Sequence, residues 1–354
     1  MADHDDIRAW VQDYYGRVLQ KSADLATNAC CAGGAPPDWL RARLANVHDD
    51  VLERFYGCGF PVPHGVLGAT VLDLGCGTGR DVFILSQLVG PGGFVHGLDM
   101  TDSQLAVGRE TVAWHMERFG YAVPNVAFHQ GYIEDLRPLP IADGSVDVVV
   151  SNCVVNLSPR KDRVLAEVFR VLKPGGEFYF SDVFCDRRLP DAVAFDPLLH
   201  SECLGGALYD FDFEVLAKRT GFPDPRVVSS GPITIQNAAI EAKVGAARFV
   251  STTLRLFKLE GTDARCEDYG QTATYRGGIE GAPHLFWLDD HHAFELGRPE
   301  RVCGNTAAML VQTRLAPHFE VRGTTETHYG EFPCDPTMAA RAYDLGGGSG
   351  GSCC

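Results

Sequence analysis

Two kinds of residue in this sequence are equipped for chemistry: thiols, and carboxylates arranged around a glycine-interrupted turn. There are twelve cysteines among 354 residues. Five stand in suggestive contexts: the adjacent Cys30 and Cys31, Cys58 in FYGCGF, Cys153 in VDVVVSNC, and Cys203 in HSECLGGALY. Thiolates are soft ligands and favour soft, thiophilic centres. Taken singly, a free cysteine is more often a buried inert thiol, and spacing alone does not gather these five in space. No pair of CxxC motifs is present, which argues against a zinc ribbon or finger.

The glycine turn is VLDLGCGTGRD, with Gly75, Gly77 and Gly79 alternating. Glycines there permit a tight turn and close approach of a ligand to the backbone, but many Rossmann-like folds carry such a turn. The acids around it are more selective. Asp73 precedes Gly75 by two residues, where it can receive, directly or through water, the cationic amino group of a methionine moiety; a pyrophosphate would be repelled. Asp99 lies 24 residues after Gly75 at the end of the next apolar run, the place for a carboxylate that binds both ribose hydroxyls. Met100 is placed to pack on an adenine. In GYIEDL, Ile133 can lie against the ring and Glu134 can meet its amino group, while Asn152 ends a further apolar run. These positions favour S-adenosylmethionine over NAD. Cys76, Gln104 and Tyr15 join the expected cofactor set, Cys76 as a residue of the glycine loop. The alternative is that Asp73, Asp99 and Glu134 are loop carboxylates with no shared role.

These residues need a scaffold that brings strand ends together. Thr70–Leu74, Phe94–Asp99, Val126–Gln130, Val146–Ser151 and Glu177–Asp182 read as strands, with helices over Asp81–Val89, from Thr101 to about Phe119, and over Arg160–Leu172. Thr101 and Gln104 have the spacing of a capping box, and Lys173–Gly176 (KPGG) closes the last helix. This alternation predicts an α/β fold, a Rossmann-like doubly wound parallel sheet with ligands at the carboxyl ends of its strands. Residues 6–20 and Trp39–Phe55 read as N-terminal helices around a Cys-, Gly- and Pro-rich loop. After about Gly231 the alternation is lost; Ala246–Lys258 and Phe286–Phe294 suggest strands and Thr306–Leu315 a helix. The expected division is residues 1–60, a helical cysteine-bearing segment; 61–230, the nucleotide-binding domain; 231–345, a smaller α+β domain; and 346–354, a Gly/Ser tail ending in Cys353 and Cys354.

Composition fits this. Apolar residues make up 45% and charged residues 22%, ordinary values for a folded core. The net charge of −15 repels phosphate backbones, which excludes nucleic acid as the natural partner. The start MADHDDIRAW lacks the basic and apolar stretches of a signal peptide, and no apolar run approaches the ~20 residues of a membrane span. A soluble, cytoplasmic monomer is expected, with its thiols mostly reduced.

Trivalent arsenic is one thiophilic centre that such cysteines suit: it takes three sulfurs in a pyramid and keeps its lone pair free. Here the chain closely resembles the arsenite S-adenosylmethionine methyltransferases, through YYGRVLQKSADLATNACC, ERFYGCGFPVP, VLDLGCGTGRDVF, GYIEDL, SNCVVNLSPRKDRVLAEVFRVLKPGGEFYFSDV and SECLGGALY, and through DHHAFELGRPERVCGNTAAMLVQTRLAPHF near the C-terminus. The resemblance runs from about Asp13 to about Glu331. It implies that Cys58, Cys153 and Cys203 bind arsenic(III), and that Cys30 or Cys31 is a redox partner forming a disulfide with Cys58. It further implies that S-adenosylmethionine is the methyl donor and that glutathione or a thioredoxin-like protein is the reductant. The small-molecule substrate would be arsenite and then methylarsenite, free or as a glutathione conjugate. Tyr14 and Tyr15 are candidates to close over the cofactor, packing in the helix interface being the alternative; Glu202 can orient a ligand or simply be solvated. The rival readings are a methyltransferase acting on carbon, nitrogen or oxygen of another small metabolite, which would need none of the cysteines, and a thiol-rich protein that sequesters a soft ion without turnover.

Overall fold

The computed structural model describes residues 4–19, 25–27 and 36–333. Cys30, Cys31, Cys353 and Cys354 fall outside them.

The chain begins with helix α1 (His4–Asp13), which buries Ile7 and Val11, one turn apart, on a single face. The expected helix over 6–20 ends early as a regular helix: Tyr14–Val18 form a π-helical turn closed by Leu19 N donating to Tyr14 O at 2.9 Å. The single helix expected over Trp39–Phe55 is two, α2 (Asp38–Leu44) and α3 (Asp49–Leu52). The break has a local cause: the His48 ring accepts from Asp50 N at 3.2 Å and caps a fresh start.

The central sheet follows as β1 (Thr70–Leu74), α4 (Arg80–Val89), β2 (Phe94–Asp99), α5 (Asp102–Phe119), β3 (Val126–Gln130), β4 (Val146–Asn152), α6 (Lys161–Val171) and β5 (Leu172–Cys185). After it come α7 (Asp191–Ala194), α8 (Pro197–Ser201), β6 (Leu208–Tyr209), α9 (Asp210–Thr220), β7 (Arg226–Ile233), α10 (Ala238–Val244) and β8 (Phe249–Phe257). The strand order is β3-β2-β1-β4-β5-β8-β7, with β6 beside β5. From β3 to β5 all pairs are parallel; β8 runs antiparallel to both β5 and β7. Parallel strands covered on both faces are apolar throughout, which explains runs such as VDVVVS. The doubly wound α/β sheet is therefore present, with an antiparallel far end.

Two expectations are corrected here. The boundary at residue 230 falls inside β7, and the sheet continues to Phe257, because β8 pairs with β5 from Glu177↔Phe257 to Cys185↔Phe249. The capping box at α5 does not form: the Thr101 side chain makes no cap hydrogen bond, and Gln104 Nε2 instead donates to Tyr15 O at 3.1 Å.

The remaining described residues form a smaller α+β unit. A three-stranded antiparallel sheet joins β9 (Thr272–Tyr275), β12 (Pro299–Arg301) and β13 (Phe319–Arg322), beside the hairpin β10 (Leu285–Trp287) and β11 (Ala293–Glu295) and helix α11 (Gly304–Val311). The expected strand Phe286–Phe294 is this hairpin, turned by Leu288 N donating to His292 O at 2.9 Å. Tyr275, Phe286, Phe294 and Phe319 build its core. The unit is fastened to the main sheet by the fully buried Glu177 of β5, which meets Arg255 Nε of β8 at 2.7 Å and Arg314 at 2.5 Å. Arg314 also donates to His64 O at 3.0 Å. His64 stacks on Trp39 and its Nδ1 donates to Glu280 O at 2.9 Å, so it belongs to this junction. Among the described residues no helix is long and apolar enough to cross a membrane.

Candidate active site

The carboxyl ends of β1, β2 and β4 open on one cleft, and the turn after β1 forms its floor. Gly75, Gly77 and Gly79 all have positive φ. At Gly75 a Cβ would lie 2.3 Å from the Val154 side chain, so only glycine fits; at Gly77 a Cβ would meet nothing within 4 Å. Gly75 N and Cys76 N both donate to Leu98 O, at 2.7 and 2.9 Å, tying the turn to β2. The lining includes Tyr15, Asp73, Gly75, Cys76, Gly77, Asp99 and Met100, together with Gln104, Ile133, Glu134 and Asn152. The whole expected cofactor set thus shares one cleft.

Backbone amides orient Asp99: Gly77 N donates to Oδ2 at 2.9 Å and Thr101 N to Oδ1 at 2.8 Å. Burial raises its pKa, and these bonds oppose the rise. Burial raises Asp73 well above the usual carboxylate range, with the Asp81 charge adding to the effect and Arg80 opposing it. Glu134 accepts from Ser158 Oγ at 2.7 Å and lies 3.7 Å from Arg8 Nε. A cleft walled by Asp73, Asp81, Asp99 and Glu134 favours a cation, which suits a ligand carrying a sulfonium and an ammonium. Gln104 Oε1, buried and without a hydrogen-bond partner among the described residues, offers one further acceptor. The residues present therefore fit S-adenosylmethionine. Above the cleft the Tyr15 ring meets Tyr56 edge-on, and its hydroxyl donates to Ser201 O at 3.0 Å.

The thiols gather on the neighbouring wall. Cys58, Cys153 and Cys203 are all buried and belong to one apolar cluster. Cys153 also lines the cleft. Cys58 and Cys153 are joined by a disulfide, their Cα atoms 5.8 Å apart. The resemblance had implied Cys58 joined to Cys30 or Cys31; the described structure joins it to Cys153, whose Cα lies within disulfide reach. The Cys203 thiol donates to Cys153 O at 3.2 Å. Of the described non-glycine residues, Cys153 (φ 57°) and Cys203 (φ 62°) alone have positive φ, a conformation that side chains adopt at a penalty and that clusters at functional sites.

Three residues here escaped the sequence reading or acquired a different role. Asp182, nearly inaccessible, holds a carboxylate oxygen within 4.8 Å of the Cys153 and Cys203 sulfurs. It accepts from Val183 N at 2.8 Å and Asn156 N at 3.0 Å, and burial pushes its pKa up to about 7. The signal was available: a lone acid near the end of the apolar run EFYFSD, as at Asp73 and Asp99. Lys161 donates to Asn156 O at 3.0 Å and Ser158 O at 2.9 Å, and burial lowers its pKa to about 8. Glu202 is not solvated: fully buried, it accepts from Ala26 N at 2.8 Å, Thr27 N at 2.9 Å, Thr27 Oγ1 at 2.6 Å and the Tyr14 hydroxyl. It fastens segment 25–27 and the π-helical turn beside Cys203.

The chain is similar to known proteins over most of its length. Residues 67–221 match the methyltransferase domain family, and residues 269–344 match the arsenite methyltransferase C-terminal domain. An arsenite methyltransferase of Aquipseudomonas alcaligenes is 57% identical over 322 residues, covering 91% of this chain and 92% of its own length. The Homo sapiens arsenite methyltransferase is 46% identical over 320 residues, covering 90% of this chain and 84% of its own. The crystal structure of an arsenic(III) S-adenosylmethionine methyltransferase from Chlamydomonas reinhardtii superimposes with a TM-score of 0.82 at 50% identity, over 84% of this chain and 100% of that one. Identity of this extent, running through the nucleotide-binding sheet and on into the C-terminal unit, makes the chain a member of the arsenite methyltransferase family.

Proposed function

We propose that this S-adenosylmethionine-dependent arsenite methyltransferase holds trivalent arsenic on the reduced thiolates of Cys58, Cys153 and Cys203, against the wall of the carboxylate-lined cleft. One observation carries the reading: Cys153 lines the same cleft as Asp73, Asp99 and Glu134, and at the same time is bonded to Cys58 and contacted by the Cys203 thiol. Methyl donor and thiol wall are thus adjacent.

S-adenosylmethionine supplies an electrophilic methyl and departs as a neutral thioether. Asp73 and Asp99 bind its cationic amino-acid end and its ribose, with Met100 and Ile133 packing on the base and Glu134, Gln104 and Asn152 on the surrounding wall. Tyr15 closes the cleft and excludes water. The thiolates hold the arsenic with its lone pair toward the methyl, so that catalysis is chiefly positioning. That lone pair forms the new As–C bond, which takes arsenic formally to the pentavalent state. Two thiols return the two electrons by forming a disulfide, of which Cys58–Cys153 is one available form. Glutathione or a thioredoxin-like dithiol then resets the pair by exchange, with Cys30 or Cys31 as relay. The small-molecule substrate is a trivalent arsenical, and the working protein is a cytoplasmic monomer.

Transfer of labelled methyl from S-adenosylmethionine to arsenite, with glutathione present, tests this in the wild type and Cys153→Ser. Methylated arsenic from the wild type alone is the expected result. Equal activity in a folded Cys153→Ser variant would overturn the thiolate site.

A further inference from the structure

We infer that Asn152 is a positioning residue for the thiol pair: it clamps the loop carrying Cys58 onto the tip of β4, and so fixes the distance between Cys58 and Cys153. The inference rests on the reading of those cysteines as arsenic ligands.

The two thiols are 95 residues apart in the chain, and Cys58 lies outside any helix or strand. Something must hold that loop against β4. Asn152 immediately precedes Cys153, and Gly59 immediately follows Cys58. Gly59 N donates to Asn152 Oδ1 at 3.2 Å, and Asn152 Nδ2 donates back to Gly59 O at 2.9 Å. The side-chain amide therefore pairs with a backbone peptide as a neighbouring strand would. The second Nδ2 hydrogen goes to Asp81 Oδ2 at 3.0 Å. Both amide hydrogens are thus used within the protein, and a flipped amide would set its oxygen against two acceptors. Asn152 borders the cofactor cleft but has no hydrogen left to donate into it.

The clamp is itself braced. Arg80 Nε and Nη2 reach Asp81 Oδ1 at 2.8 and 2.7 Å, and the guanidinium lies 3.1 Å from the centroid of Phe55 and 4.8 Å from that of Phe60, on either side of Cys58. Arg80, Asp81 and Asn152 are all buried, so each bond is made away from water and each partner left unpaired would be penalised. The loop lies flat on the amide: a Cβ at Gly57 would fall 2.7 Å from Asn152 Oδ1. A two-point amide bridge one residue from each sulfur sets their separation more tightly than packing would, and two pre-placed sulfurs bind a single arsenic atom without first ordering a loop.

The test uses reduced protein in which Cys30, Cys31, Cys266, Cys334, Cys353 and Cys354 are serine, so that the probe, arsenite, reads the buried thiols. Arsenous acid condenses with three thiols and releases three waters, so its binding needs Cys58 together with Cys153 and Cys203. Asn152→Ala should bind arsenite at least about tenfold more weakly, a larger loss than any in its affinity for S-adenosylhomocysteine. In turnover its KM for arsenite should rise by a larger factor than that for S-adenosylmethionine. Asn152→Ser, which keeps a buried hydroxyl but cannot bridge both Gly59 groups, should shift the same quantities in the same direction, and it carries the test if Asn152→Ala does not fold. Loss of S-adenosylhomocysteine binding with arsenite binding unaffected, or equal loss of both, would overturn the inference. Cys58→Ser distinguishes the reading beneath it: undiminished arsenite binding there would show that the thiol pair is not the arsenic site.

Discussion

The Cys203 thiol donates to the carbonyl oxygen of Cys153, and both residues hold left-handed backbone conformations on adjoining elements. The contact brings a sulfur of the segment after α8 to the tip of β4, and both backbones carry conformational strain where the thiols meet. A side chain in this conformation is disfavoured by about 1–2 kcal/mol relative to glycine. Cys203→Gly should therefore be more stable than Cys203→Ala by about that amount in urea unfolding, although neither methylates arsenite. An alanine variant as stable as the glycine variant would mean that the backbone relaxes freely.

Stepwise methylation separates the roles of the thiols. Once arsenic carries a methyl group it needs only two sulfurs, and without Cys58 the two that remain are Cys153 and Cys203, whose thiol donates to Cys153 O. Cys58→Ser is expected to abolish methylation of arsenite while sparing that of methylarsenite. Parallel assays on the two substrates decide this; equal loss would return Cys58 to the full ligand set.

Asp99 is held ready by the Gly77 and Thr101 amides, with lone pairs left over for a ribose. Asp99→Ala should weaken S-adenosylhomocysteine binding by at least about tenfold in calorimetry, through loss of charge-assisted hydrogen bonds. Binding of trivalent arsenicals to the thiols should be unchanged. A variant with parental cofactor affinity would remove Asp99 from the site.

Histidine burial makes the fold acid-sensitive. The inaccessible His115 ring stacks on Phe83, lies 2.8 Å from Thr111 O and accepts from His48 N at 3.1 Å, the pattern of a neutral ring. Burial lowers its pKa from 6.5 to about 4. Below 6.5 the unfolded chain therefore binds a proton that the folded one refuses, so this contribution is complete above 6.5 and is lost as pH falls toward 4. The stability gap between wild type and His115→Gln should narrow across that interval in chemical denaturation. A gap constant from pH 7.5 to 4.5 would argue that the ring titrates freely.

Much of the sheet was legible because its physics is local. β1, β2 and β3 occupy the residues expected of them, since parallel strands covered on both faces are bounded apolar runs. That Asp73, Asp99 and Glu134 line one cleft was legible for a related reason: in such sheets ligands bind at strand ends. What was not legible depends on partners distant in sequence. Gln104 carried the spacing of a helix cap, but the Tyr15 carbonyl, 89 residues away, takes its amide. For Glu202 a ligand-orienting and a solvated role both stood open, because Ala26 and Thr27, which bury it, lie more than 170 residues upstream. FVSTTLRLF read as a strand of the second domain, and only its pairing with β5 assigns it to the first.

That last pairing bears on how the molecule can be divided. β5 contributes Asp182 to the thiol wall, and β8 covers its edge over nine residue pairs, from Glu177 to Cys185. A chain cut at residue 230 would keep every thiol and carboxylate of the cleft, yet bare a long apolar strand whose unpaired amides and carbonyls are a template for another chain. Such a fragment should associate through that seam, so a minimal methylating unit begins its search for an endpoint after Phe257. Even there Glu177 would have lost Arg314, leaving a buried carboxylate with Arg255 as its remaining counter-ion.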